Sequence, residues 1–229
     1  MSIHNNYFKL NLSKFIGIIL IAITLCLFGI FFKITNPQIS SLISGLATGF
    51  ALATVQFFFS WYEYAKIDKY ERLKIRDIRP DRDNRELYES LIINSKKEII
   101  VLGSTATRLI NDFADSNSSQ PRNKVLLSAL SKGVVVKILL PDQIFLHTNQ
   151  QAQFSIIKTK FEAIAGQYPN FQFKYFQHEP YHSIFLADDD CILGPIFPGV
   201  SSKNTPSIHV DSSSPFAKTY LDYFNNEWQ

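Results

Sequence analysis

The side chains best suited to chemistry gather between positions 178 and 190 of this 229-residue chain. His178 and His182 stand four residues apart. An imidazole titrates near neutral pH and can serve as a ligand, a phosphate contact or a buried hydrogen-bonding group. The last of these is the expected role of His182, with a ligand or phosphate contact as the alternative. On an extended chain four residues cover roughly 13 Å, so the two histidines are expected to share a face without being neighbours. Asp188, Asp189 and Asp190 follow directly. Three carboxylates in a row suggest a cation, but no His or Cys cluster stands at ligand spacing nearby, and aspartate favours turns. A turn between two strands is therefore expected, with no metal and no cofactor. Glu179, beside Pro180, reads as a loop charge. GSTATR at 103–108 carries one glycine and no P-loop lysine, which makes it a weak phosphate cradle. Arg108 and Lys124 read as solvated.

These residues need a scaffold, and the pattern from Asp81 onward supplies one by alternating helix with strand. Helices are expected over 83–95, 105–115, 123–132 and 150–165, and a closing one over Pro215 to Trp228, with Phe216, Tyr220, Tyr223 and Phe224 available to a core. KEIIVLG at 97–103 and VVVKILL at 134–140 are apolar runs bounded by charge or glycine, hence buried strands. Further strands are expected over 171–176, 182–187 and 191–193. Such alternation gives an α/β domain with a mixed sheet.

The first 62 residues are a different material. Phe15 to Phe32 is an uncharged run of eighteen residues between Lys14 and Lys33, about 27 Å as a helix against a hydrocarbon thickness of about 30 Å. A second uncharged run, Ile39 to Tyr62, ends in the aromatic cluster Phe57, Phe58, Phe59, Trp61 and Tyr62, a pattern of the membrane interface. Only KITNPQ separates the runs, so they read as a transmembrane hairpin. No small-residue cleavage site follows the first run, which disfavours a signal peptide. Neither span contains Asp, Glu, Lys, Arg or His, which disfavours an ion-coupled transporter. Gln56, Thr48 and Thr54 are the notable polar groups, explained by hydrogen bonds between helices. Lys9 and Lys14 precede the first span and six Lys/Arg between 66 and 79 follow the second, while the loop has Lys33 alone. The positive-inside rule then places both termini in the cytoplasm. Gly45, Gly49 and Ala53 lie four apart, with Ser41 extending the row. That spacing lets another helix approach closely, either the first span or a second copy of the chain.

The expected organisation is a cytoplasmic tail over 1–14, spans at 15–32 and 39–62, a periplasmic loop at 33–38, a basic juxtamembrane helix at 63–80 ended by Pro80, and the cytoplasmic domain at 81–229. Residues 1–80 carry nine Lys/Arg against four Asp/Glu, and residues 81–229 fourteen against sixteen. Charge thus gives no expectation of direct nucleic-acid binding by the globular part. Gly and Pro together number only 19 beside 20 Phe, which excludes a disordered chain. Two distant cysteines, Cys26 and Cys191, exclude a disulfide scaffold and fit a reducing compartment.

The helix–Gly–strand unit LLSALSKGVVVKILLPD and the segment HSIFLADDDCILGP before a C-terminal helix resemble the phospholipase D-like superfamily over residues 83–228. The family pattern is His-x-Lys, an Asp seven residues after the His, then a Gly-Ser-type turn. His182 and Asp189 fit as candidate catalytic residues, and Gly194 stands near the glycine place, two residues short. Ile184 occupies the lysine position. In that family the His attacks phosphorus and the lysine holds phosphate oxygens, so this resemblance implies fold more than activity.

The whole layout, a two-span hairpin carrying an α/β domain, resembles the two-transmembrane effectors of bacterial antiphage defence encoded beside retron reverse transcriptases. That resemblance implies a homo-oligomeric effector acting on inner-membrane lipid. It would be restrained by the reverse transcriptase with its RNA–DNA product, and would kill the infected cell by abortive infection once released. The alternatives are a membrane-bound phosphodiesterase or phospholipase using His182, and a non-enzymatic nucleotide or protein sensor anchored by the hairpin.

Overall fold

The computed structural model describes residues 3–229, with side chains described from residue 12 onward except at 65, 66, 68 and 69. The side chains of Lys9, Lys66 and Lys69, used above for orientation, lie outside the described residues. The chain divides into two compact units, residues 1–70 and 71–229.

The first unit is an apolar helical hairpin of α1 (Ile3–Phe31) and α2 (Pro37–Arg72). Two stretches are long and apolar enough to cross a membrane, Leu12–Phe31 with mean hydropathy 2.5 and Pro37–Tyr64 with 1.7. Little of either surface is buried within the chain, 6% and 11%, unlike the core helices of a globular domain. Asn36 starts α2: its Oδ1 accepts from the Gln38 amide at 3.0 Å, and Pro37 occupies the first turn, where its missing N–H costs nothing. The two helices meet at Gly17, which lies under Phe57 and Phe58, and Ala47 of α2 is 1% exposed. The Thr24 and Thr54 hydroxyls join them at 3.2 Å. Each hydroxyl also lies within reach of the carbonyl four residues before it, at 2.8 and 2.7 Å, and with one proton apiece either both donate to their carbonyls or one donates across to the other, so neither proton is left bare.

The second unit is a three-layer α/β domain. Its strands are β1 (Ile75–Arg79), β2 (Glu98–Leu102), β3 (Val135–Pro141), β4 (Phe171–Phe176), β5 (His182–Ala187), β6 (Asp190–Pro195) and β7 (Ser207–Asp211). They form one mixed sheet in the order β1-β7-β6-β5-β2-β3-β4. β2, β3 and β4 are parallel; the other pairings are antiparallel. Helices α3 (Arg85–Asn94), α4 (Thr107–Phe113), α5 (Val125–Ser131) and α6 (Thr148–Gln167) cover one face, and α7 (Pro215–Trp228) covers the other. Both faces are therefore dry, which is why β2 and β3 read as continuous apolar runs. Ile99 and Val101 enter the core under α3–α6, while Ile100 and Leu102 enter the core under α7. Gly133, at φ 88°, ends α5 in a conformation costly to other residues and turns the chain into β3.

The juxtamembrane expectation needs correction. The helix foreseen to Arg79 stops at Arg72, Lys74 takes a left-handed φ of 51°, and Ile75–Arg79 is an edge strand paired with β7. The Asp211 amide donates to the Lys74 carbonyl at 3.0 Å. Arg76 and Arg79 pair with acids of the domain: Arg76 bridges Asp190 and Asp211, and Arg79 Nε meets Asp77 at 2.6 Å. Hydrogen bonds from the Ser213 hydroxyl and amide, together with Arg76 and Lys74, hold the Asp211 carboxyl down at about 2.

Candidate functional site

His182 opens β5, where odd and even positions face opposite layers. His182, Ile184 and Leu186 face α7, whereas Ser183, Phe185 and Ala187 face α3–α6. The imidazole packs edge-on against Tyr220 and Tyr223, with ring centroids at 5.1 and 4.7 Å. It is half-buried, and its Nε2 is buried with no hydrogen-bond partner among the described residues. The expected hydrogen-bonded histidine is thus a ring held by aromatic contacts. Burial, reinforced by the nearby His178, holds its pKa below the ordinary 6.5.

The separation expected between the histidines also needs correction. Residues 177–181 form a loop, not an extended strand, and both imidazoles reach Tyr223. His178 Nδ1 lies 2.8 Å from the Glu179 carbonyl oxygen, an acceptor only, so Nδ1 carries the proton. In the neutral ring the Tyr223 hydroxyl then donates to Nε2 at 3.1 Å, and Glu227 stands 3.3 Å away to pair with a protonated one. Burial, with Glu227 adding to it, pushes the Tyr223 phenol up to about 12.

Asp189 does not join this cluster. It sits exposed in the β5–β6 turn, at the other end of a six-residue strand from His182, roughly 20 Å away at the rise of an extended chain. Asp188 and Asp190 point to different partners. Asp188 accepts the amides of Lys96, Lys97 and Glu98 at 2.7, 3.0 and 2.9 Å. Asp190 pairs with Arg76 and with His209 Nε2, the latter at 2.7 Å. Ile184 is 1% exposed in the core under α7, against Leu102, Leu193 and their neighbours. A lysine there would bring an ammonium into that core.

A pH dependence follows from His182. Its folded pKa lies below 6.5, so the unfolded chain binds more protons, and stability falls as pH drops through 6.5 toward the folded value. We expect the fall in Tm between pH 7.5 and pH 5.5 to shrink in His182→Gln, read by thermal unfolding of both proteins side by side. Equal falls would show that His182 titrates alike in both states.

A second constellation lies on the opposite face. At the carboxyl end of β2, the loop 103–106, the start of α6 and the segment 196–205 enclose a crevice of about 420 Å³. Arg82, Arg85 and Arg108 line it, together with the hydroxyls of Ser104, Thr105 and Ser183 and the rings of Tyr88, Phe185 and Phe197. In open α/β sheets this end of the parallel strands is the usual place for a ligand. Arg82 is 6% exposed; it donates from Nη1 to Ser183 Oγ and from Nη2 to the carbonyls of Pro195 at 2.7 Å and Pro206 at 3.4 Å. Desolvation lowers its pKa. Arg85 Nη2 donates to the Asp112 carbonyl at 2.8 Å and to Asn123 at 2.6 Å. Arg108, expected in solvent, is half-buried, meets Asp83 at 3.0 Å and lines the crevice with the rest of the GSTATR segment. Sequence reasoning missed Arg82 and Arg85. The cluster RPDRDNR at 79–85 was the available signal, and it reads as a linker until the crevice brings two of its arginines together.

No protein-family model and no curated protein matches this chain. Among solved structures it is similar to the archaeal chromatin protein TrmBL2, described as showing a novel mode of DNA binding, at 12% identity over 81% of this chain and 67% of that one, TM-score 0.45. It is similar to Nuc, a phospholipase D family member from Salmonella typhimurium, at 19% identity over 66% of this chain and 90% of that one, TM-score 0.42. A third likeness is to the phosphatidylserine synthase of Haemophilus influenzae Rd KW20, at 12% identity over 65% of this chain, TM-score 0.38; the chain spans 37% of that enzyme's length.

Proposed function

We propose that this chain is a membrane-anchored effector that acts by assembly and binding: the hairpin compromises the bacterial inner membrane when released, and the α/β domain governs that release. The observation that carries this reading is the outward placement of the small-residue row. Gly45, Gly49 and Ala53 are exposed, and among the described residues nothing outside the glycines' own helix backbone lies within 4 Å of a Cβ built on either glycine. Thr24 with Thr54, and Gly17 with Phe57 and Phe58, make contacts between α1 and α2 instead. Of the two partners open to a small-residue face, a second copy of the chain is therefore the one proposed. The setting we propose is antiphage defence by abortive infection, with a reverse transcriptase and its RNA–DNA product as the restraining partner. Support for that setting is the two-span layout alone.

The test is propidium uptake in cells induced to express the wild type, Gly45→Leu/Gly49→Leu or His182→Ala at matched membrane levels. Uptake from the wild type and from His182→Ala, abolished in the double leucine variant, is the expected result. Uptake lost only in His182→Ala would replace this reading with catalysis at the unpartnered imidazole. No uptake from the wild type in a host without the reverse transcriptase would sink membrane damage as the mode of action.

A further inference from the structure

The crevice under α3, α4 and α6 is built around more positive charge than its walls compensate. Three arginines line it with one acid, Asp112, and a second, Asp83, pairs with Arg108 from outside the lining, which leaves one positive charge uncompensated. Arg82 is nine-tenths buried, and all three of its acceptors, one hydroxyl and two carbonyls, are neutral. The Nε atoms of both Arg82 and Arg85 are buried with no hydrogen-bond partner among the described residues. Arginine stays charged in proteins, and a buried cation without a counter-charge is costly unless an anion completes the site. Guanidinium forks match the oxygens of phosphate better than those of any neutral group. The rest of the lining mixes hydroxyls and amides, such as Ser104, Thr105 and Asn149, with an apolar part that includes Phe185 at 7% exposure and Phe197 at 47%. A volume of about 420 Å³ exceeds what one inorganic phosphate needs and suits a small organic molecule.

We infer that this crevice binds a small organic phosphate, its phosphate against Arg82, Arg85 and Arg108 and its apolar part against Phe185 and Phe197. The site is separate from His182, which faces the α7 layer on the opposite side of the sheet. It gives a ligand class to the binding role proposed above for the α/β domain and rests on that role. Its test reads binding alone, so membrane damage without ligand binding would sink this inference and leave the effector reading standing.

Titration calorimetry on the full chain in detergent micelles, at constant ionic strength, would use pyrophosphate, ADP and adenosine as probes. We expect pyrophosphate to bind, ADP to bind at least tenfold tighter and compete with it, and adenosine to show no binding. Arg108→Gln should weaken ADP at least tenfold, whereas Lys218→Gln, an exposed charge on α7, should leave affinity within twofold. Arg108 is the variant of choice because its partner Asp83 is 58% exposed and is left in water by the change. No binding of pyrophosphate at 5 mM to the folded wild type would overturn the site. Equal loss in Arg108→Gln and Lys218→Gln would reduce it to nonspecific charge attraction. Pyrophosphate and ADP binding equally well would overturn the organic part of the ligand.

Discussion

Gly194→Ala lowers the unfolding free energy of the α/β domain by about 3 kcal/mol, at the upper end of what overpacking costs. Gly194 pairs with Ser183 across β5 and β6, and the Arg82 guanidinium lies directly over it. A Cβ at 194 would stand 2.9 Å from Arg82 Cζ and closer still to Nη2 and the Pro206 carbonyl oxygen. The side chain has little room to withdraw, because it is 6% exposed and holds Ser183, Pro195 and Pro206 together. The Pro206 oxygen belongs to the backbone leading into β7, so yielding there disturbs the pairing of β7 with β6 and β1. Gly166→Ala is the control. It lies near the end of α6 with nothing within 4 Å of its Cβ, and the change should stabilise by about 0.5 kcal/mol. Urea unfolding of both variants as full chains in detergent measures the pair. Equal and small effects would show that Arg82 moves aside freely and that the crevice wall is soft.

That glycine illustrates what the sequence makes legible and what it conceals. β4, β5 and α7 begin and end where periodicity places them, at Phe171–Phe176, His182–Ala187 and Pro215–Trp228. Each is bounded by turn-forming residues and carries its own apolar face. The hairpin is equally visible, since eighteen uncharged residues between lysines admit few structures. β7 is not visible: SIHVD has two apolar residues among five and no alternation long enough to register. With β7 hidden, β1 loses its only partner in the sheet, and Ile75–Arg79 passes for a continuation of the helix. The crevice is hidden for a related reason. Its arginines come from a linker and two helix starts, and its far wall from 196–205, far along the chain from all three. No spacing rule joins segments that only the sheet order brings together. The histidine pair shows the converse: its four-residue spacing is plain in the sequence, but the chain between His178 and His182 is a loop, so four residues do not separate the rings as a strand would.

Asp188→Ala is expected to cost about 3 kcal/mol, because one carboxylate accepts three backbone amides and charged acceptors make the stronger bonds. Asp188 ends β5 with φ 52°, a left-handed conformation that aspartate and asparagine tolerate and alanine resists. Its oxygens gather the amides of Lys96, Lys97 and Glu98 where α3 hands over to β2. The β5–β6 turn is thereby tied to the strand paired with β5. Burial acts to raise its pKa, but the three amides and the Lys97 charge prevail and leave it below the ordinary 3.8. Asp188→Asn keeps the backbone conformation and one carbonyl acceptor, so it should lose about 1 kcal/mol. A depressed carboxylate pKa contributes stability above the unfolded value and loses it as pH falls through the folded one. The gap between wild type and Asp188→Asn should therefore be full at pH 7 and close below pH 3.8. Urea midpoints of the three proteins at pH 7 and near pH 3 provide the measurement. A gap that persists unchanged at the lower pH would mean the amides do not depend on the charge, and that the turn is held by shape alone.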